Sequence, residues 1–319
     1  MYNSLSYKTK QFLLLVIKLS IVIGCCYFIY TKLVENEQIR FIDFYRNLTE
    51  NNIFTLKNTF FLLFFTFLNW FLEILKWRTI VRLVKTTSFL AASVQSLASL
   101  TTSLITPNRI GEYGAKALYF EKPLRKQILG LNLVGNFYQM LATLFFGTLG
   151  FAYFIIQHNV EIDFHQIFRV LLVALLVISA FIFGAKRFNY KSYSFEKARK
   201  FIKRIPFSLN LKVALLSFFR FVVFSHQFYF LLVIFNLDIS YLEAISAITS
   251  TYLIASLIPM LSLFDVVLKG TVAVWIFTYL NVSALTILSI TTLMWIFNFV
   301  LPASIGSYFV LTFKPNFIK

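Results

Sequence analysis

The sequence predicts an all-α, polytopic membrane protein with about six full spans and two re-entrant broken-helix hairpins in an inverted repeat. Of its 319 residues, 59% are hydrophobic and only 13% are charged, and the mean hydropathy is +0.76, outside the usual range of soluble domains. Several apolar runs reach the roughly 20 residues that a helix needs to cross about 30 Å of hydrocarbon. Two further apolar regions are interrupted near their middles. We therefore expect residues 1–319 to form a single transmembrane domain.

Six apolar runs predict full spans: 12–31, 58–76, 127–156, 166–184, 210–235 and 284–313. The first contains Lys18 and is not followed by a small-residue cleavage site, which favours a retained additional N-terminal helix over a signal peptide.

The two interrupted regions are 89–122 and 243–280. Structural breaks are expected at Pro107 with Gly111 in the first region, and at Pro259 with Gly270 in the second. Each region predicts either a re-entrant pair of half-helices or two very short full crossings.

The distribution of Lys and Arg predicts the orientation. Residues 185–204 carry eight basic residues against one acid, and 76–88 carry four against none, which is typical of cytoplasmic segments. Segments 157–165 and 236–243 contain acids and no Lys or Arg, as expected outside. We therefore expect a multi-pass protein of the bacterial inner membrane with both termini in the cytoplasm. This topology and attraction to anionic lipids explain the net charge of +17 without a nucleic-acid partner.

The two halves of the chain align as repeats over about 58–156 and 210–313. In each half the proline of the hairpin follows 49 residues after the start of the preceding span. Because one repeat begins outside and the other inside, they predict inverted topology. Transporters with this arrangement place their sites where two broken helices meet near the midplane.

The stretch TPNRIGEYGAKALYF, residues 106–120, contains three charges on one helical face, at Arg109, Glu112 and Lys116. A charge at the bilayer centre costs roughly 2.5 to 3.5 kcal/mol, so these residues must pair or face a polar cavity. Arg109 and Lys116 are expected to bind a phosphate-bearing lipid headgroup near a helix N-terminus. Glu112 would hold Arg109, or sense a proton or a cationic headgroup. The alternative is a solvated, purely structural hairpin end.

The second broken region contains Asp265 and Lys269, four residues apart, which predicts an intrahelical pair. This pair would either form the opposite gate, meeting Arg109 and Glu112 in the middle, or close a hairpin that faces the periplasm. Glu73, near the end of the second span, is a further candidate for the lining of the cavity.

Other polar groups in the spans have ordinary explanations. Trp70, Trp77 and Lys76 are expected at the cytoplasmic interface as an aromatic belt with snorkelling bases. Arg220 and His226 are ionisable groups within the fifth span and are expected to face the interior.

Catalytic signatures are absent from the sequence. There is no H-E-x-x-H motif, no Cys/His cluster, no Walker loop, no G-x-S-x-G and no dinucleotide fingerprint. We therefore expect no catalytic residues, no metal and no cofactor.

The stretch at 106–120 resembles the P-x-R-x-G-E motif of the lysylphosphatidylglycerol synthase transmembrane region, a flippase-like family of bacteria and archaea. The motif is carried by Pro107, Arg109, Gly111 and Glu112, and the resemblance extends over about 55–313, including the Glu-x-x-Lys-Trp-Arg stretch.

The second family motif usually has a Gly-rich turn and a Glu after its proline. This chain keeps Pro259, lacks those glycines, and has Asp265 and Lys269. The resemblance implies a stand-alone relative of lipid flippases that carry aminoacylated phosphatidylglycerol, without an aminoacyl-transferase domain.

The leading hypothesis is a flippase-like transporter that moves a phospholipid or lipid-linked headgroup between leaflets. Its partners would be membrane lipids with an anionic or phosphate-bearing headgroup, and a homo-oligomer is left open. The alternatives are a membrane-embedded enzyme or accessory subunit acting on lipids or lipid-linked sugars, and a scaffold whose charges only lock the fold. Carboxylates paired near one membrane face would favour the enzyme.

Overall fold

The protein is helical throughout the part of the chain that the structure describes. In this computed structural model, no described residue lies in a β-strand, as the sequence predicts. The described residues are 7–34, 40–104, 106, 109–158, 160, 205–257 and 265–314.

The helices are joined mainly by short turns. In chain order they are α1 (Tyr7–Val34), α2 (Phe41–Glu50), α3 (Leu56–Val81), α4 (Phe89–Leu104), α5 (Ile110–Leu118), a 3₁₀ turn (Lys122–Leu124), α6 (Arg125–His158), α7 (Phe207–Ile234), α8 (Tyr241–Leu257), α9 (Asp265–Thr278), α10 (Ala284–Trp295), a π-helical segment (Ile296–Val300) and α11 (Leu301–Thr312).

Four helical stretches among the described residues are long and apolar enough to cross a membrane, and they match four of the predicted spans. They are α3, α6 with its preceding 3₁₀ turn, α7, and the continuous stretch from α10 through α11. Helix α1 contains the predicted first span. The predicted span 166–184 and the basic loop 185–204 lie outside the described residues. With many apolar side chains on its surface, the molecule is a helical, membrane-embedded protein.

Both interrupted regions form two short helices that pack on each other, α4 with α5 and α8 with α9. The interruptions fall where the sequence predicts them, although Pro107 and Pro259 themselves lie outside the described residues. Gly111 and Gly270 do not form the breaks. Each lies inside the helix that follows, in α5 and α9 respectively, because a helix tolerates one glycine at a cost of about 1 kcal/mol.

Helices of the first half pack reciprocally against helices of the second half. Helix α3 packs on α7, α4 packs on α11, and α6 packs on α8. Within the halves, α5 packs on α6 and α9 packs on α10. Helix α1 lies beside α4 and α11, where Lys18 Nζ donates a hydrogen bond to the Leu311 carbonyl at 2.8 Å.

Glycines allow the close approach at two of the interfaces between the halves, α4 with α11 and α6 with α8. Gly306 of α11 lies directly against Thr101 of α4, and Thr101 Oγ1 donates to the Ala303 carbonyl at 2.9 Å. At the other interface, Gly150 of α6 lies directly against Thr249 of α8. Small residues at such contacts are typical of helix packing in membranes, where close van der Waals contact replaces the hydrophobic effect.

Helix α2 was missed by the sequence analysis. Its side chains Phe44 and Leu48 are buried, and Asn47 Nδ2 donates to Ser289 Oγ of α10 at 3.0 Å. The signal was the helical spacing of its apolar residues. A search for runs of about 20 apolar residues passes over such a ten-residue amphipathic helix.

The glycine contact between α11 and α4 gives a stability prediction. We expect Gly306→Ala to lower the free energy of unfolding by about 1–3 kcal/mol, because the added methyl would overlap the Leu97 carbonyl and Thr101 Oγ1. The measurement is chemical or thermal unfolding in detergent.

The matched control is Gly114→Ala in α5, where an added methyl meets no atom within 4 Å. It should be neutral or stabilising by up to about 1 kcal/mol, because Ala favours helix over Gly. Equal stability losses in the two variants would contradict the assigned packing of α4 and α11.

Candidate functional site

A buried ionic network lies where α3, α5 and α7 meet. Glu73 Oε2 lies 2.7 Å from both Lys76 Nζ and Arg220 Nη1, and Glu73 Oε1 lies 4.0 Å from Lys116 Nζ. Both 2.7 Å contacts join groups of opposite charge and are therefore ion pairs. Because Glu73 is only 7% exposed, water screens these attractions little. One carboxylate thus joins cations from three helices.

Glu112 and Lys116 share one face of α5, as the sequence predicts, and contact each other within the helix. Lys116 Nζ donates to Glu112 Oε1 at 2.9 Å and to Asn132 Oδ1 at 2.8 Å, and it lies 4.5 Å from the centroid of a Trp77 ring. Lys116 is only 2% exposed. The alternative of a solvated hairpin end is therefore wrong for Glu112 and Lys116, which are both buried inside the protein.

Arg109 marks the start of α5 and has an unusual backbone conformation. It is the N-cap residue with φ of 56°, in the left-handed region that most non-glycine residues avoid. Its Nη2 lies 3.7 Å from Glu112 Oε2, and its guanidinium carbon lies 5.8 Å from the centroid of the Phe299 ring. The side chain is 47% exposed, so it extends from the ionic network into open space.

The described network is not charge-balanced. Two carboxylates, Glu73 and Glu112, contact four cations, which leaves a formal net charge of +2. The cations are Lys76, Arg109, Lys116 and Arg220. Excess charge in a low-dielectric environment is costly, and an anion in the adjacent space would lower that cost.

A chain of side-chain amides extends from Arg220 toward the last long helix. Arg220 Nε donates to Asn69 Oδ1 at 2.9 Å, and Asn69 Nδ2 donates to Asn298 Oδ1 at 2.8 Å. Asn298 Nδ2 in turn donates to Gln227 Oε1 at 2.9 Å. Asn298 lies in the π-helical segment, a feature often found at functional sites. The sequence analysis missed these amides, whose signal was their polar character within apolar spans.

A cavity of about 430 Å³ opens beside the network, in the size range of small-ligand sites. Cations, amides, hydroxyls and aromatic rings line it, and no carboxylate does so among the described residues. The lining residues are Asn69, Trp70, Arg109, Gln139, Thr143, Arg220, Phe221, Phe224, Tyr252, Ala255, Ser256, Lys269, Asn298 and Phe299.

Lys269, on the second hairpin, contributes to the same cavity as Arg109, on the first. Its Nζ lies 5.6 Å from the centroid of the Phe299 ring, so one aromatic ring has both cations as neighbours. The predicted meeting of the two hairpins is therefore seen for Arg109 and Lys269, whereas Glu112 does not line the cavity. Asp265 begins α9, but its side chain lies outside the described set, so the pair with Lys269 stays a prediction.

A second, much smaller pocket of about 30 Å³ lies between the network and α4, with room for little more than a water molecule. Glu73, Glu112 and Lys116 line this pocket. The buried hydroxyl of Ser96 also faces it and has no hydrogen-bond partner among the described residues. The two carboxylates thus face this small space and not the large cavity.

Two residues assigned to the membrane interface by the sequence are buried instead. Lys76 is paired with Glu73, and Trp77 Nε1 donates to Gln95 Oε1 at 2.7 Å. The prediction of an aromatic belt at these positions was wrong because α4 and α5 cover this end of α3. His226 is hydrogen-bonded, as expected, with its ring nitrogens 2.8 Å from the Val222 carbonyl and 3.0 Å from the Tyr241 hydroxyl.

The fold and the site define a class, a helical membrane-embedded protein with a cationic cavity between two broken hairpins. A comparison with models of protein families finds no match, and neither does a search of curated protein sequences. The resemblance to the lysylphosphatidylglycerol synthase transmembrane region therefore stays a prediction carried by the motif at 106–120.

The central position of Glu73 gives a second stability prediction. We expect Glu73→Gln to lower the free energy of unfolding by about 3–5 kcal/mol, because Lys76, Lys116 and Arg220 would lose their shared counter-charge. Unfolding in detergent measures the change.

The control is Glu121→Gln, which removes an exposed carboxylate 3.6 Å from Lys85. An exposed pair contributes about 0–1 kcal/mol, so the control should unfold like the parent protein. A Glu73→Gln protein as stable as this control would show that the network contributes nothing to the fold.

Proposed function

We propose that the protein is a flippase-like transporter of the bacterial inner membrane that moves the headgroup of a phospholipid or lipid-linked compound between leaflets. The observation that carries the proposal is the cavity of about 430 Å³ with cations from both broken hairpins, Arg109 and Lys269. A polar cavity between the hairpins gives a headgroup an environment that the hydrocarbon core lacks.

The reciprocal helix packing supports an inverted repeat. Each half has a long helix, a broken hairpin and a second long helix stretch. The first long helices, α3 and α7, pack on each other, while the first arm of each hairpin packs on the closing helix of the other half. Two-fold pseudosymmetry predicts such exchanged contacts, and the glycine contacts at Gly306 and Gly150 occur at both of them.

The lining of the cavity suggests how an amphipathic molecule would be accommodated. Arg109, Arg220 and Lys269 would receive the headgroup, while the aromatic rings would contact the apolar part next to it. Acyl chains would remain in the bilayer along the apolar outer surface of the helices. The barrier for a headgroup to cross would fall because its charge is never exposed to hydrocarbon alone.

The alternative of an enzyme acting on lipids is less well supported. Glu73 and Glu112 both approach Lys116 and so form a carboxylate pair, which a hydrolytic enzyme could use. A general acid or base must come within about 3 Å of the reacting group. Because both carboxylates are ion-paired and neither lines the large cavity, the described geometry favours transport.

The inverted repeat predicts that equivalent loops face opposite sides of the membrane. In a protein with Cys25 and Cys26 replaced by Ala, we expect Thr86→Cys to react with an impermeant maleimide only from the cytoplasmic side. Asp238→Cys should react only from the outside. Thr86 and Asp238 are exposed and precede α4 and α8, the first arms of the two hairpins. Reaction of both cysteines from the same side would exclude the inverted repeat.

Transport itself is tested with purified protein in vesicles that contain a fluorescent phospholipid. We expect Arg109→Gln to slow movement of the lipid between leaflets about tenfold, because a hydrogen bond to a charged group contributes about 1.5–3 kcal/mol. The measurement is quenching of the outer-leaflet fluorophore by an impermeant reductant.

Arg40→Gln is the matched control, because Arg40 is exposed and pairs only locally with Asp43 among the described residues. It should transport at the parent rate. If the parent protein moves no lipid and binds none, the scaffold hypothesis replaces the transporter. If Arg109→Gln transports as fast as the control, the cavity is not the route.

A further inference from the structure

We infer that the cavity accepts a phosphate dianion, the terminal phosphomonoester or diphosphate of a lipid, in preference to a zwitterionic or cationic headgroup. This inference rests on the proposed transport function and specifies its substrate class. It follows from the distribution of charge around the cavity, the donors on its walls and its aromatic side.

Among the described residues, every charged side chain on the cavity wall is a cation. Three cations line the cavity, Arg109, Arg220 and Lys269, and no described carboxylate does. The carboxylates of the ionic network face the smaller pocket, where Glu73 contacts Lys76 and Arg220 and Glu112 contacts Lys116 and Arg109. The network nevertheless keeps its formal net charge of +2. A headgroup with an ammonium group would therefore meet like charges at the wall and no described carboxylate to pair with. A dianion would offset most of the positive charge.

The cations come from three separate elements and approach the cavity from different directions. Arg109 begins α5, Arg220 is fixed on α7 by Glu73 and Asn69, and Lys269 lies on α9. An Arg guanidinium presents a planar set of donors that matches phosphate oxygens, and Lys adds a compact charge. A terminal phosphate has several equivalent oxygens, which suits donors converging from several sides.

Neutral groups on the wall are also positioned by their own hydrogen bonds. Asn69 and Asn298 are held in the amide chain, and Gln139 Oε1 accepts from Arg220 Nη1 at 3.2 Å. Since these amides are held before any ligand binds, little conformational entropy is lost when a headgroup enters. Because amide side chains carry no charge, the cations remain the dominant charges of the cavity.

The aromatic side of the cavity favours a lipid over a soluble phosphate compound. Phe221, Phe224 and Tyr252 cover one part of the wall, and the ring of Phe299 has both Arg109 and Lys269 as neighbours. A soluble phosphate would leave these rings without a partner, whereas the first methylene groups of a lipid would contact them. The phosphate chemistry is shared by both sources, so the test must separate them.

The test compares binding of three probes to the purified protein in mild detergent at about 0.15 M ionic strength, which screens exposed charges. The probes are a short-chain phosphatidic acid, a phosphatidylethanolamine with the same chains, and inorganic pyrophosphate. Native mass spectrometry measures occupancy by each lipid, and pyrophosphate is added as a competitor. We expect phosphatidic acid to bind at least about tenfold more tightly than phosphatidylethanolamine.

Two variants that each remove one positive charge show whether the lipid binds in the cavity or elsewhere on the protein. Lys269→Gln should weaken binding of phosphatidic acid about tenfold and leave binding of phosphatidylethanolamine nearly unchanged. Lys85→Gln removes the same charge from an exposed site that pairs with Glu121 and should change neither affinity.

Each other outcome overturns a distinct statement. Equal binding of the two lipids would overturn the preference for a dianion, while transport of either lipid in vesicles would leave the proposed function standing. Binding of pyrophosphate by a protein that binds neither lipid in its absence would assign the site to soluble phosphates and remove the lipid transporter as well. If Lys269→Gln and Lys85→Gln weakened the binding of phosphatidic acid equally, surface charge and not the cavity would bind the probe.

Discussion

The attraction of Glu73 for three cations is the interaction on which the described structure depends most. Its carboxylate joins Lys76 of its own helix, Lys116 of the first hairpin and Arg220 of α7. Without it, three positive charges would repel one another in a buried environment. Because Lys116 also donates to Asn132 of α6, these contacts hold the short helix α5 inside the bundle, where its nine residues would have little stability alone.

The same carboxylate indirectly orders one wall of the cavity. By fixing Arg220, it positions Asn69 and, through it, Asn298 in the π-helical segment. Gln227 completes the chain and donates to Thr66 Oγ1 at 2.9 Å, so α3 and α7 are also tied together within their apolar contact surface. Charge pairing on one side and amide pairing on the other thus produce a rigid polar wall in a molecule that otherwise consists mostly of apolar helices.

Sequence reasoning could predict the features that depend on local pattern. Apolar length predicted the long helices, the two prolines predicted the interrupted regions, and helical spacing predicted that Glu112 and Lys116 share one face. It could not predict the pairing of Glu73 with Arg220, because the two residues lie far apart in the chain and meet only through the packing of α3 on α7. Lys76 was misassigned because the same basic and aromatic pattern fits a membrane interface or a buried ion pair. Only the packing of neighbouring helices over this end of α3 distinguishes the two environments.

The two hairpins are held by different forces, which bears on how the proposed transporter would move. Helix α5 is bound by buried charges, whereas α9 packs through apolar residues, among them Ile276 and Phe277. Counted from the proline of each hairpin, the position of Glu73 corresponds to Ser225 in the second half, which carries no charge. Separating α5 from α3 would uncover unpaired charges, whereas separating α9 from its neighbours would break mainly apolar contacts among the described residues. Under the proposed function, the buried charges would therefore resist displacement of the first hairpin more strongly than apolar contacts would resist displacement of the second.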